Sequence, residues 1–102
     1  MTKKTKRLSP IHPGEVLQTV FQDAQLRANA VALALRIPAN RLTEIINGKR
    51  SISADTALRL GRYFGTSSQM WMNLQSRYDL EVAEAALAEK IESEVQPYRK
   101  SA

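Results

Sequence analysis

Apolar residues recur along this chain at helical spacing, and polar or glycine-bearing breaks divide them into separate runs. Val16, Leu17, Val20 and Phe21 follow one another at i, i+1, i+4 and i+5, the apolar face of a helix reaching about Gln25. His12-Pro13-Gly14-Glu15 opens it: proline suits the first helical position, where its missing N–H has no partner to lose. Glu15 falls in the first turn, near the positive end of the helix dipole. A second helix begins with Asn29 as its cap and buries Ala30, Val31, Ala34 and Leu35. Ile37-Pro38 ends it, because a residue before proline is pushed out of helical geometry. A third runs from Pro38 or Ala39 to Asn47, closed by Gly48 in the left-handed conformation. Ser53 caps a fourth, with Ile52 and Ala57 as a staple-like pair and Ala57, Leu60 and Phe64 facing inward to a stop at Gly65. Thr66 or Ser67 caps a fifth, carrying Met70, Trp71, Leu74 and Tyr78. A sixth runs from about Asp79 to Val95, with Leu80, Ala83, Leu87 and Ile91 along one stripe, and Pro97 stops it. No strand alternation or internal repeat interrupts these runs, so the expected fold is all-α. It divides into a basic arm (1–9), a compact five-helix domain (10–78), a C-terminal helical extension (79–96) and a tail (97–102).

The second and third helices, two short segments joined by a tight turn, have the layout of a helix-turn-helix, which places one helix in the DNA major groove. Successive residues of a helix turn by about 100°. Leu42, Ile45 and Ile46 of the third helix therefore cluster inward, while Asn40, Glu44 and Asn47 point the other way and Arg41 and Thr43 lie on the shoulders. That outward face is short, polar and rich in amide and carboxylate groups. Asn can bond adenine N6 and N7, Glu can accept from cytosine N4, Arg can take guanine O6 and N7, and Thr can touch a thymine methyl. Lys49 and Arg50, just beyond the helix, suit phosphates, as does the helix N-terminus at Ala39. Arg27 and Asn29, at the start of the second helix, complete the candidate DNA surface.

Charge supports a polyanionic partner. Of a net +5 over 102 residues, residues 1–50 hold +6 and residues 51–78 hold +2, whereas residues 79–102 hold −3. The acidic end is expected to face away from DNA or toward a basic protein. At 43% apolar residues one modest core can form. The absence of cysteine excludes disulfides and thiolate metal sites and fits a cytoplasmic protein. No apolar run approaches the roughly 18 residues that span a bilayer, and no apolar stretch follows the basic start as a secretory signal requires.

Nothing in the chain suggests catalysis, a cofactor or a metal. His12 is the only histidine and has no companion ligands, there is no Ser/His/Asp set, and there is no glycine-rich phosphate loop. Glu81 with Glu84 and Glu89 with Glu92 read as solvated helix surface rather than acid–base pairs. Trp71 is expected in core or dimer packing. The stripe of Leu80, Leu87 and Ile91 must be covered by the bundle, a second copy or another protein, so Trp71, Leu74, Tyr78, Leu80, Leu87 and Ile91 form the candidate dimer or partner surface.

The sequence resembles the HigA-type antitoxins, a branch of the Xre/Cro-like helix-turn-helix family. The resemblance rests on HPGE at 12–15, NAVALAL at 29–35, the P-x-x-R-x-x-E-I-x-N-G-K-R run at 38–50, ISADTALRL at 52–60 and FGTSSQMWMNLQSRYDLEVA at 64–83. It implies a dimer that binds a palindromic operator in its own promoter and neutralises a RelE-like ribonuclease toxin encoded beside it. It places base reading on Asn40, Arg41, Thr43, Glu44 and Asn47, and phosphate contact on Lys49 and Arg50. Three positions depart from the family pattern. Ala28 stands where a polar, phosphate-contacting residue is usual, with Arg27 beside it as a candidate replacement. Arg36 stands in a turn that usually holds glycine, at a strain of order 1 kcal/mol if its φ is positive. Two alternatives share the features: a stand-alone repressor with no toxin, and an inhibitory interaction module without specific DNA binding.

Overall fold

A computed structural model of the chain describes residues 9–99. The basic arm expected over 1–9, apart from Ser9, and the end of the tail lie outside the described residues. Five helices follow in order: α1 (Pro13–Ala24), α2 (Ala28–Leu35), α3 (Ala39–Ile46), α4 (Ala54–Phe64) and α5 (Ser68–Glu94). Among the described residues there is no strand.

The first helix starts with a reciprocal cap. The Gly14 N–H donates to His12 Nδ1 at 2.9 Å, and the His12 N–H donates to Glu15 Oε2 at 3.2 Å. Ser53 caps α4 through the Thr56 N–H, and Ser67 caps α5 through the Met70 N–H. Leu17, Phe21, Val31, Leu35, Leu42, Ile45, Ile52, Leu60 and Trp71 close around one core. Gly14 lets α1 lie directly on α3: a Cβ there would collide with the Ile45 carbonyl oxygen.

Three expectations need correction. Asn29 does not cap α2; the cap is Arg27, extended at φ −100°, whose carbonyl accepts the first helical bond from Val31, and Asn29 lies exposed in the first turn. Ala30 and Ala34 are exposed and Ala32 is buried instead. Because α2 is apolar almost all round, its composition cannot choose the inward face. The fifth and sixth helices are one 27-residue helix, so residues 79–94 prolong α5 without a break. Asp79, read as the start of a sixth helix, lies inside α5, and Gln75 Nε2 donates to its carboxylate at 3.0 Å. Trp71, expected in core or dimer packing, packs in the core: it is 2% exposed, and its indole N–H donates to Thr66 Oγ1 at 3.0 Å.

The resulting shape is elongated, 58 Å in its longest dimension, because the distal half of α5 projects beyond the other helices.

Candidate nucleic-acid interface

The connection between α2 and α3 is short and firmly held. Leu35 ends α2, Arg36 takes the left-handed conformation at φ 62° and ψ 42°, Ile37 is buried, and Pro38 caps α3. Arg36 thus occupies the position that favours glycine, with the strain that implies. Its N–H still donates to the carbonyls of Ala32 and Leu33, so α2 ends with its backbone satisfied.

Two residues of α4 lock this turn. Arg59 Nη1 donates to the Leu35 carbonyl oxygen at 2.9 Å, and Arg59 Nε bonds Asp55 at 3.1 Å. Asp55 in turn accepts from Arg41 of α3 at 2.8 Å. One carboxylate therefore ties α3 to α4 while its partner arginine holds the end of α2. Hydrogen bonds from Arg59 and then Arg41 hold the Asp55 carboxyl below its usual range. The spacing of Asp55 and Arg59, four residues apart, was readable in the sequence; that they reach α2 and α3 was not.

With Arg41 drawn toward α4, the outward face of α3 is set by Asn40, Thr43, Glu44 and Asn47. Asn40, Thr43 and Asn47 are exposed and Glu44 is half-buried. Thr43 Oγ1 donates to the Ala39 carbonyl at 2.9 Å, which restrains its rotamer and leaves both hydroxyl lone pairs able to accept. Beyond α3, Gly48 turns the chain at φ 76°, and the Lys49 N–H returns to the Glu44 carbonyl at 2.8 Å. Lys49 is exposed beside the helix end. Arg50 folds back over α3 and pairs with Glu44 at 2.7 Å. Arg27 and Asn29 lie exposed at the start of α2 and Ala39 at the start of α3. Ala28 is half-buried against the core, so its methyl group packs inward.

Two further residues, neither of which has a partner legible from spacing alone, connect this surface to α5. Gln75 is buried and its Oε1 accepts from the Ile52 N–H at 2.7 Å, which anchors the loop entering α4. His12 is buried between the α1 cap, the Gly48 turn and Tyr78, whose ring meets its own edge-on at 4.7 Å between centroids. Burial lowers the His12 pKa, against the opposing pull of Glu15 and Asp79.

Of the candidate partner residues outside the core, Leu74 is half-buried against it and Tyr78 is engaged by His12. Leu80, Leu87 and Ile91 are 62%, 41% and 50% exposed. Among the described residues no helix is long and apolar enough to cross a membrane, and no cluster of potential metal ligands occurs.

Comparison with known proteins places this arrangement. A helix-turn-helix family model matches residues 22–71. Virulence-associated protein I of Dichelobacter nodosus is 49% identical over 75 residues, which cover 72% of this chain and 69% of that protein. An addiction module antidote protein of a HigA family from Coxiella burnetii is 50% identical and superposes with a TM-score of 0.84, over 89% of this chain and 100% of that one. The Pseudomonas aeruginosa antitoxin HigA, solved with the higBA promoter, is 47% identical with a TM-score of 0.85, over 88% of this chain and 99% of that one. The sequence, the α2–turn–α3 geometry and these relatives agree: this chain belongs to the HigA family of helix-turn-helix antitoxins, which are regulators and not enzymes.

Proposed function

We propose that this chain is the antitoxin and autorepressor of a toxin–antitoxin pair, acting in the cytoplasm. As a dimer it binds a palindromic operator in its own promoter, with the two copies of α3 in successive major grooves about 34–36 Å apart. Through protein contact it neutralises a RelE-like ribonuclease encoded next to it. The observation that carries the DNA reading is the outward face of α3. Asn40, Thr43, Glu44 and Asn47 share one face, and that face is held rigid from behind by the Arg41–Asp55–Arg59 network. Amide and hydroxyl groups in that register suit base edges, and Lys49 and the start of α2 suit the flanking phosphates. The solved P. aeruginosa relative carries its promoter, which supports the same use here.

The distal half of α5 supports the protein-binding role. Leu80, Leu87 and Ile91 are too exposed to belong to the core, and Glu84, Glu89 and Glu92 give the same segment negative charge. We assign the apolar stripe to the two-fold contact and the acidic flank to a basic toxin, where complementary charge speeds association.

The test is a co-expression. The open reading frame beside this gene is tagged and co-expressed with the chain, and the purified material is titrated with its own promoter fragment and with random DNA. The reading expects a stoichiometric complex that survives a high-salt wash, and promoter binding well above random. A folded chain that binds its promoter but retains no partner is a stand-alone repressor. One that binds the partner but does not discriminate its promoter is an inhibitory interaction module.

A further inference from the structure

The pair formed by Glu44 and Arg50 carries an inference about specificity, and it rests on the operator-binding reading above. Glu44 lies on α3 between Asn40 and Asn47, four residues after one and three before the other, in the middle of the outward face. Arg50 comes from beyond the Gly48 turn, yet its guanidinium does not extend toward the flank. Its Nε donates to Glu44 Oε1 at 2.8 Å, and Nη2 lies 2.7 Å from the same carboxylate oxygen as an ion pair. Those two nitrogens form one edge of the planar guanidinium fork. The other edge, Nη1 with the second proton of Nη2, points away from the carboxylate and offers two parallel N–H donors.

We infer that Arg50 is a base-reading residue that takes guanine O6 and N7 with its free edge, and that Glu44 is the positioning residue that holds it there. Two physical arguments separate this from phosphate contact. First, the guanidinium is anchored over the face that enters the groove, whereas backbone phosphates lie along the groove's flanks. Second, a phosphate on this guanidinium would be brought close to the Glu44 carboxylate and be repelled, while guanine O6 and N7 are neutral acceptors that match the parallel donors. Lys49, exposed just past the end of α3, remains the phosphate contact at this end of the helix. The pair is on the surface, where ion pairs add little to stability, so its effect is on aim. An arginine already held in one rotamer loses less conformational freedom on binding than a free one.

The experiment uses the full-length chain and its own promoter fragment, with each guanine replaced in turn by 7-deazaguanine, which lacks only the N7 acceptor. For the wild type, at least one replaced guanine per half-site should weaken binding on the order of 10-fold, the range for one bidentate base contact. Arg50→Lys keeps the charge but not the fork, and should abolish that sensitivity while leaving random-DNA affinity nearly unchanged. Glu44→Gln should reduce the same sensitivity without weakening random-DNA binding, and the double variant should lose no more discrimination than Arg50→Lys alone. Equal losses on promoter and random DNA for Arg50→Ala, with guanine sensitivity intact, would overturn the inference, as would full guanine sensitivity in Glu44→Gln. If the wild type fails to distinguish its promoter from random DNA, the operator-binding reading itself falls. If it discriminates with no guanine linked to Arg50, only this inference falls.

Discussion

The two halves of α5 share one backbone but are held by different forces. The proximal half carries Trp71 and Gln75, buried against α1 and α4, and Tyr78 against His12. The distal half, from Leu80 to Glu94, has no fully buried residue. It is helical because it is rich in Ala, Glu and Leu, which favour helix. Pairs one turn apart add to this, Lys90 with Glu94 at 2.9 Å and Arg77 with Glu81 at 3.8 Å. The first half is fixed by tertiary packing, the second by local propensity, and the second leaves most of its large apolar groups in water. A helix segment that does not stabilise its own domain but displays Leu80, Leu87 and Ile91 is suited to another protein.

That contrast can be broken at the core first. Leu42→Ala removes a fully buried side chain of the recognition helix and should cost about 2–5 kcal/mol in urea unfolding. Gln75→Leu should cost about 1–3 kcal/mol, since it leaves the buried Ile52 N–H without an acceptor. Arg36→Gly should act in the opposite direction. It relieves a left-handed non-glycine residue and should raise stability by roughly 0.5–1 kcal/mol, net of the extra freedom glycine gives the unfolded chain. Leu87→Ala on the distal half should change the stability of the isolated monomer by less than about 0.5 kcal/mol. It should nevertheless raise the dimer dissociation constant measured by sedimentation. A monomer destabilised as strongly as by Leu42→Ala would show that the distal helix folds back on the bundle.

The pH dependence tests the junction between the halves. The His12 pKa is lowered in the folded state, so the unfolded chain takes up a proton first as pH falls. Its contribution to stability is complete above the unfolded value of about 6.5 and is lost as pH falls through the folded value. Protonation also removes the Nδ1 acceptor of the Gly14 N–H. His12→Asn keeps a capping oxygen and does not titrate in this range, so it should flatten the decline in the thermal midpoint below about pH 6.5. An unchanged decline would remove His12 from that role.

The order of helices, the caps at Ser53 and Ser67 and the inward triad of α3 were legible because each depends on local chemistry. Ser53 and Ser67 meet N–H groups three residues on, and Leu42 and Ile45 mark a face by spacing alone. What escaped depends on which partner a side chain takes. Asp79 reads as a helix start unless its bond from Gln75 within α5 is known, and α2 has no polar face to orient it. The same limit applies to the site. The outward residues of α3 could be named from the sequence. That Arg41 is drawn to Asp55, and that Arg50 returns to Glu44, depends on how α4 and the Gly48 turn approach α3.

The central claim is that the outward face of α3 reads bases. It is tested most directly by comparing the wild type and Asn40→Ala on the chain's own promoter fragment and on random DNA at one fixed salt concentration. The account predicts a loss of about 1–3 kcal/mol on the promoter with random-DNA affinity unchanged. For contrast, Lys49→Ala should weaken binding to both and lower the salt slope by about one unit. Equal losses on both DNAs for Asn40→Ala would contradict the claim.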